Sequence, residues 1–301
     1  MTVSVPLDPE TVLAVVGWKA DRPPEPVNGG WDNHLWKFTC DGAAYALRVV
    51  RLEEDADLAA RARGFEHEVV AMDVARQADI PVPAIAARGV YSGAPFLILE
   101  WLPGGTILDA VRRKPWLARR YGREFGRLQA RLHSLPGEYL RPITDTDWVD
   151  RAGHPALAAA VQRELLTSEA RFCHFDFHPL NILHDGERVT GLVDFTVAAA
   201  SDIRADLGLT NAVLRAAPLP PGVPGRAMNM LRGRFTNGWR EGYLDFAGRF
   251  PLDAMFEALG YGVYHYEFAS AIDEGRGWAS ARDLKRLLIL RDEALARTEI
   301  A

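Results

Sequence analysis

Hydrophobic period divides the chain into a strand-rich beginning and a helical remainder. Leu35-Trp36-Lys37-Phe38-Thr39-Cys40 and Tyr45-Ala46-Leu47-Arg48-Val49-Val50 flank Asp41-Gly42, which predicts a β-hairpin closed by a tight turn. From Ala59 to Ala78 the apolar positions Phe65, Val69, Met72 and Ala75 recur at three- and four-residue spacing, which predicts one long helix. Ile80-Pro81-Val82-Pro83 ends it, because proline cannot continue a helix. Two further strands are expected at 84–91 and 95–101, joined at Ser92-Gly93.

Beyond Leu102-Pro103-Gly104-Gly105 the pattern turns helical, so a hinge is expected there, with domains 1–101 and 102–301. Leu117, Tyr121, Phe125, Leu128, Leu132 and Leu135 form one apolar stripe. Leu231, Phe235, Trp239 and Tyr243 form another, and helices are expected over 252–272 and 279–297. Short strands at 182–184 and 188–193 around Asp185-Gly186 interrupt this region, and 218–224 reads as a proline-rich loop.

Composition narrows the class. At 301 residues, 48% hydrophobic and 25% charged, the chain has the makeup of a globular protein. A net charge of −5 and the lack of any Lys/Arg-rich run argue against nucleic acid as a partner. No run of about 18 apolar residues suggests a membrane span. Met1 to Pro9 carries no basic, apolar leader pattern, so a cytoplasmic location is expected. Cys40 and Cys173 read as small buried hydrophobes rather than as a disulfide.

The candidate chemistry lies in His174-Phe175-Asp176-Phe177-His178-Pro179-Leu180-Asn181 and in Leu192-Val193-Asp194-Phe195. A carboxylate able to take a hydroxyl proton, an amide oxygen and a second carboxylate are the parts required for magnesium-assisted phosphoryl transfer. A lone Asp or Asn here would read as a turn residue capping local backbone. The set together reads as a catalytic loop and a metal site.

These residues resemble the catalytic segment of the aminoglycoside phosphotransferase and choline kinase-like superfamily, whose members share the protein-kinase-like fold. The resemblance extends over roughly residues 27–245, through Leu132-His133-Ser134-Leu135, Glu100-Trp101-Leu102-Pro103-Gly104, and Ser201-Asp202 to Asp206-Leu207. It implies an α+β, bilobal fold: an antiparallel sheet N-lobe and a mainly helical C-lobe. By position it implies Asp176 as the group orienting the acceptor hydroxyl, His174 as its support, and Asn181 and Asp194 as magnesium ligands. His178-Pro179 matches the family's habit of placing His-Pro before the Asn, and His178 is a candidate substrate contact.

The same resemblance implies an ATP site made of the Gly29-Gly30 loop with Asn33, of Arg48 paired with Glu68, and of the Glu100–Leu102 backbone. Arg48 departs from the lysine of protein kinases, although members of this superfamily use arginine there. Glu68 aligns better than Glu66 as its partner. Thr196 departs as well, standing where protein kinases have glycine. The segment from Asp194 to Asp206 is short and lacks Ala-Pro-Glu, which argues for a small-molecule acceptor over a protein.

The expected activity is ATP- and Mg2+-dependent phosphorylation of a small hydroxylated acceptor. An aminoglycoside or similar hydroxylated amine is favoured; a macrolide, choline-like alcohol, homoserine or sugar is the alternative, as is a catalytically weak nucleotide-binding pseudokinase. Tyr261, Tyr264 and Phe268 could face an ammonium group, but their spacing fits a core stripe better. Glu267 and Asp273 remain as acceptor candidates.

Overall fold

The computed structural model describes residues 7–27, 33–51, 58–140, 147–217, 225–275 and 279–300. Gly29, Gly30 and the 218–224 loop lie outside them. A short helix α1 (Pro9–Ala14) precedes strands β1 (Glu25–Pro26), β2 (Asn33–Cys40) and β3 (Ala43–Val50). Helix α2 (Leu58–Gln77) and strands β4 (Ile85–Tyr91) and β5 (Ala94–Glu100) complete the first lobe. Its five-stranded antiparallel sheet runs β1-β2-β3-β5-β4.

Strand alternation sorts the side chains of this sheet. Leu47 and Val49 of β3 and Phe96 and Ile98 of β5 fill a core on the face shared with α1. Ala46, Leu97 and Leu99 point to the opposite face, where Phe65, Val69 and Met72 of α2 cover them. Arg48, one strand position from Leu47 and from Val49, therefore faces α2.

The second lobe begins with β6 (Gly105–Thr106), α3 (Ile107–Arg113) and α4 (Ala118–His133), followed by α5 (Pro155–Thr167). Strands β7 (Arg171–Cys173), β8 (Ile182–His184), β9 (Val189–Leu192) and β10 (Ala199–Ser201) follow, then helices α6 (Ile203–Ala216), α7 (Gly225–Ala247), α8 (Ala254–Asp273) and α9 (Ala281–Leu295). Two small antiparallel sheets, β10-β7 and β6-β8-β9, frame the loop that carries the candidate chemistry. The fold is thus bilobal and α+β, with an antiparallel sheet lobe and a helical lobe.

The stripe expected from Leu117 to Leu135 outlasts its helix at both ends. Leu117 closes a 3-10 turn, Pro115–Leu117, and Ser134 caps α4. Leu135 precedes Pro136, a position biased away from helical backbone. Its carbonyl instead accepts Phe172 N–H at 3.1 Å, tying α4 to β7. Both cysteines are free. No helix among the described residues is long and apolar enough to cross a membrane.

Candidate active site

Strand β7 delivers the chain into a loop, residues 174–181, whose shape is fixed from below. Phe175 adopts a left-handed φ of 62°, and its N–H donates to Asp206 Oδ1 at 2.6 Å. Asp206, fully buried in α6, also accepts from Gln129 Nε2 at 3.1 Å and His133 Nε2 at 2.7 Å. Thr210, one turn along α6, donates to Phe177 O at 3.1 Å. Burial raises the Asp206 pKa, but the hydrogen bond from His133 leads the effects that hold it below the ordinary carboxylate range. A buried carboxylate thus satisfies a strained backbone amide and two side chains of α4 at once.

Within the loop the side chains pair closely. His174 is fully buried against Phe177 and Phe195, and its Nδ1 accepts Asp176 N–H at 3.3 Å. Burial lowers its pKa despite the carboxylates of Asp206, Asp176 and Asp194 around it. His178 Nδ1 accepts Leu180 N–H at 3.3 Å, which leaves Nε2 to donate to Asp176 Oδ1 at 3.2 Å. Burial opposes the charged form of each partner. Their mutual hydrogen bond outweighs it, so the His178 pKa is raised and the Asp176 pKa lowered.

Asn181 donates from Nδ2 to Asp176 Oδ2 at 2.8 Å and to Asp176 O at 3.0 Å. That fixes its amide orientation and leaves Oδ1 without a protein donor among the described residues. Asp176 nevertheless keeps 34% of its side chain exposed, enough to meet a ligand.

Strands β8 and β9 bring Asp194 to this loop. Ile182 pairs with Leu192, and Val193 N–H donates to Asn181 O at 3.0 Å. Asp194 also has a left-handed φ, 67°, and its Oδ1 accepts from Thr196 Oγ1 at 2.8 Å. Its negative charge favours the charged forms of His174, His178 and Arg48. The amide oxygen of Asn181 and the free oxygen of Asp194 are hard donors of the kind magnesium accepts in ones and twos, with phosphate and water completing its shell. Among the described residues no group of three or more His, Cys, Asp or Glu could form an all-protein cage.

On the sheet side, Arg48 forms a bidentate pair with Glu68: Nη1 reaches Oε1 at 2.6 Å and Nη2 meets Oε2. Glu66 is instead exposed and paired with Arg88 at 2.8 Å. Burial works against the Arg48 charge, but Glu68 more than offsets it and the pKa is raised. Arg48 Nε is buried without an acceptor among the described residues. Asn33 opens β2, half-buried, opposite Val50. At the end of β5, the N–H groups of Glu100 and Trp101 are taken by Ala84 O and Ala44 O, at 2.9 and 3.1 Å. Leu102 N–H donates to no protein group among the described residues.

The remaining candidates lie on α8. Tyr261 and Phe268 are buried in the helical core, with Tyr261 OH accepting from Asn211 at 3.0 Å, as a core stripe requires. Tyr264 is pushed well up by burial, and it packs against the same apolar cluster as Phe175 of the loop. Glu267 is paired with Arg151 at 2.8 Å, and Asp273 is exposed near the end of α8.

A family model described as APH, phosphotransferase enzyme family, matches residues 24–253. Comparison with curated proteins gives no match. Among solved structures, a thermostable variant of aminoglycoside phosphotransferase APH(4)-Ia, in ternary complex with AMP-PNP and hygromycin B, superposes with a TM-score of 0.63 at 15% identity; the match covers 97% of this chain and 100% of that one. Spectinomycin phosphotransferase APH(9)-Ia, with ADP and spectinomycin, gives 0.59 at 9% identity, covering 96% and 95%. APH(3'')-Id from Streptomyces rimosus gives 0.57 at 17% identity, covering 84% and 94%. At these identities the likeness is one of fold.

Proposed function

The chain belongs to the phosphotransferase enzyme family, and from that premise we propose that it moves the γ-phosphoryl group of ATP to a hydroxyl of a small molecule. Residues 1–101 form the nucleotide-side lobe and 102–301 the acceptor-side lobe. The observation that supports the reading is local: Asn181 and His178 both hold Asp176, Val193 N–H ties the start of the Asp194 segment to Asn181, and Arg48 forms a bidentate pair with Glu68.

The roles follow from what each group has left to offer. Asp176 is ionised, reachable and held in one orientation by His178 and Asn181, so it fixes an acceptor hydroxyl and takes its proton as the new oxygen–phosphorus bond forms. The bond to the β-phosphate oxygen breaks and ADP leaves. Arg48 Nε–H, buried with no acceptor among the described residues, suits a phosphate oxygen. Leu102 N–H, which donates to no protein group among the described residues, would suit an adenine nitrogen. Asn181 and Asp194 would hold Mg2+, which when bound neutralises charge on the β- and γ-phosphoryl oxygens.

For the acceptor we favour an aminoglycoside or similar hydroxylated amine, since the structural relatives include complexes with hygromycin B and spectinomycin. Macrolides, choline-like alcohols, homoserine and sugars fall within the same chemistry, because one fold hosts many acceptors. The test is a phosphate-transfer mass-shift screen over such a library with ATP and magnesium. Asp176→Asn is expected to lower kcat by about 10²–10⁴-fold while leaving magnesium-dependent ATP binding intact. Full turnover by that variant would strip Asp176 of its role as proton acceptor. Thr196 bound to Asp194 favours a second reading, a nucleotide-binding pseudokinase. Metal-independent ATP binding without turnover on any acceptor would select it.

A further inference from the structure

The phosphotransferase reading leaves His67 without a role, yet its side chain makes a contact between the lobes. Its Nε2 lies 2.6 Å from the carbonyl oxygen of Ala198, and because a carbonyl only accepts, the imidazole N–H donates. We propose that His67 is a positioning residue: it ties α2, and with it the Arg48–Glu68 pair, to the turn that follows Asp194. The inference rests on the phosphotransferase reading for its catalytic consequence, but the contact itself does not.

Both ends of this tie are attached to the chemistry. His67 precedes Glu68 in α2, and successive helix positions point about 100° apart. One turn of helix therefore holds Arg48 through Glu68 and reaches the other lobe through His67. At the far end, Ala198 N–H donates to Phe195 O at 3.0 Å, closing a tight turn directly after Asp194. The next residue, Ala199, pairs with Cys173 in β7, where the catalytic loop begins. The Ala198 carbonyl is thus fixed by the turn that orients Asp194 and by the strand that launches Asp176.

The charge of Asp194 also favours the charged form of Arg48. The contacts run in series: Arg48 to Glu68, along α2 to His67, from His67 to Ala198, and through the turn back to Asp194. Displacing α2 would shift the Arg48–Glu68 pair relative to the Asp194 turn. Core packing of Phe65, Val69 and Met72 holds α2 on the sheet of its own lobe. That core continues into the other lobe, and His67 adds a directed hydrogen bond to the segment after Asp194, so its removal should change alignment more than folding.

The full chain is compared as wild type, His67→Ala and His67→Gln; glutamine returns an N–H donor at similar reach. Amide hydrogen exchange without ligand reads peptides spanning 63–72 and 194–201, with α8 as an internal control of the fold. His67→Ala is expected to speed exchange in both peptides and not in α8, and His67→Gln to restore much of the protection. Magnesium-dependent ATP turnover should fall about tenfold in kcat for His67→Ala, with a smaller change in acceptor KM, and recover in His67→Gln.

Unchanged exchange over 194–201 in His67→Ala would overturn the tie. Faster exchange with undiminished kcat would overturn its positioning role. A wild-type chain that neither binds nor turns over ATP with magnesium would overturn the activity, while the exchange comparison would still decide whether His67 couples the two segments.

Discussion

At the scale of single residues, the His178–Asp176 hydrogen bond sets the protonation of the candidate base. Burial alone would raise the Asp176 pKa, and the bond from His178 reverses that. In His178→Ala burial meets less opposition, so the acid limb of kcat/KM should move to higher pH. The wild type should also show a step above the ordinary imidazole range, where His178 loses its proton, and the variant should lack it. A pH–rate profile measures both, and coincident profiles would disprove the assignment. That the segments carrying Asp176, Asn181 and Asp194 meet was legible in the sequence, because a loop and a hairpin-sized gap hold local spacing. Asp206 stood out only as part of a matching segment. Its value lies in accepting Phe175 N–H across 31 residues, a relation no local pattern encodes. The one local sign was an acid inside an apolar helical run, Ala205-Asp206-Leu207-Gly208-Leu209.

At the scale of elements, α4 and α7 bury the stripes that periodicity predicted, but glycines set how closely they pack. A Cβ added at Gly126 would sit 2.0 Å from Trp239 O, and one at Gly242 2.0 Å from Arg123 O, so backbone meets backbone. Gly126→Ala should therefore destabilise by about 1–3 kcal/mol through overpacking, despite alanine's better helix propensity. Thermal unfolding should show a Tm lower by several degrees. An unchanged or higher Tm would mean that the helices can separate without cost. Hairpins and long helices were legible because each carries its own period. Helix α3 was not: seven residues show too little period, and it is set by the reciprocal Thr106–Asp109 cap and the β6–β8 pairing behind it. Helix α5 likewise starts at a His154 cap followed by Pro155, a start signal weaker than the usual Ser, Thr or Asp.

At the scale of the whole molecule, the two lobes share one apolar core running from Phe65 and Leu97 through Phe125 and Leu192 to Trp239. The candidate site residues are thus mounted on a continuous body, and ligand binding should register as global stability. A ligand at a hundred times its Kd adds about 2.7 kcal/mol, so ATP with magnesium should raise the wild-type Tm more than either alone. Arg48 offers the sharper test of how the lobes meet. Removing it outright would strand Glu68, which is 3% exposed, so Arg48→Ala would confuse lost binding with lost folding. Arg48→Lys keeps the charge and a bond to Glu68 but gives up the planar fork and the spare Nε–H. Its unliganded Tm should fall modestly, while its magnesium–ATP shift should fall more, because the donor with no acceptor among the described residues is the one lost. Equal shifts in the two proteins would mean that Arg48 serves only to hold α2 on the sheet, and that the phosphates are gripped elsewhere.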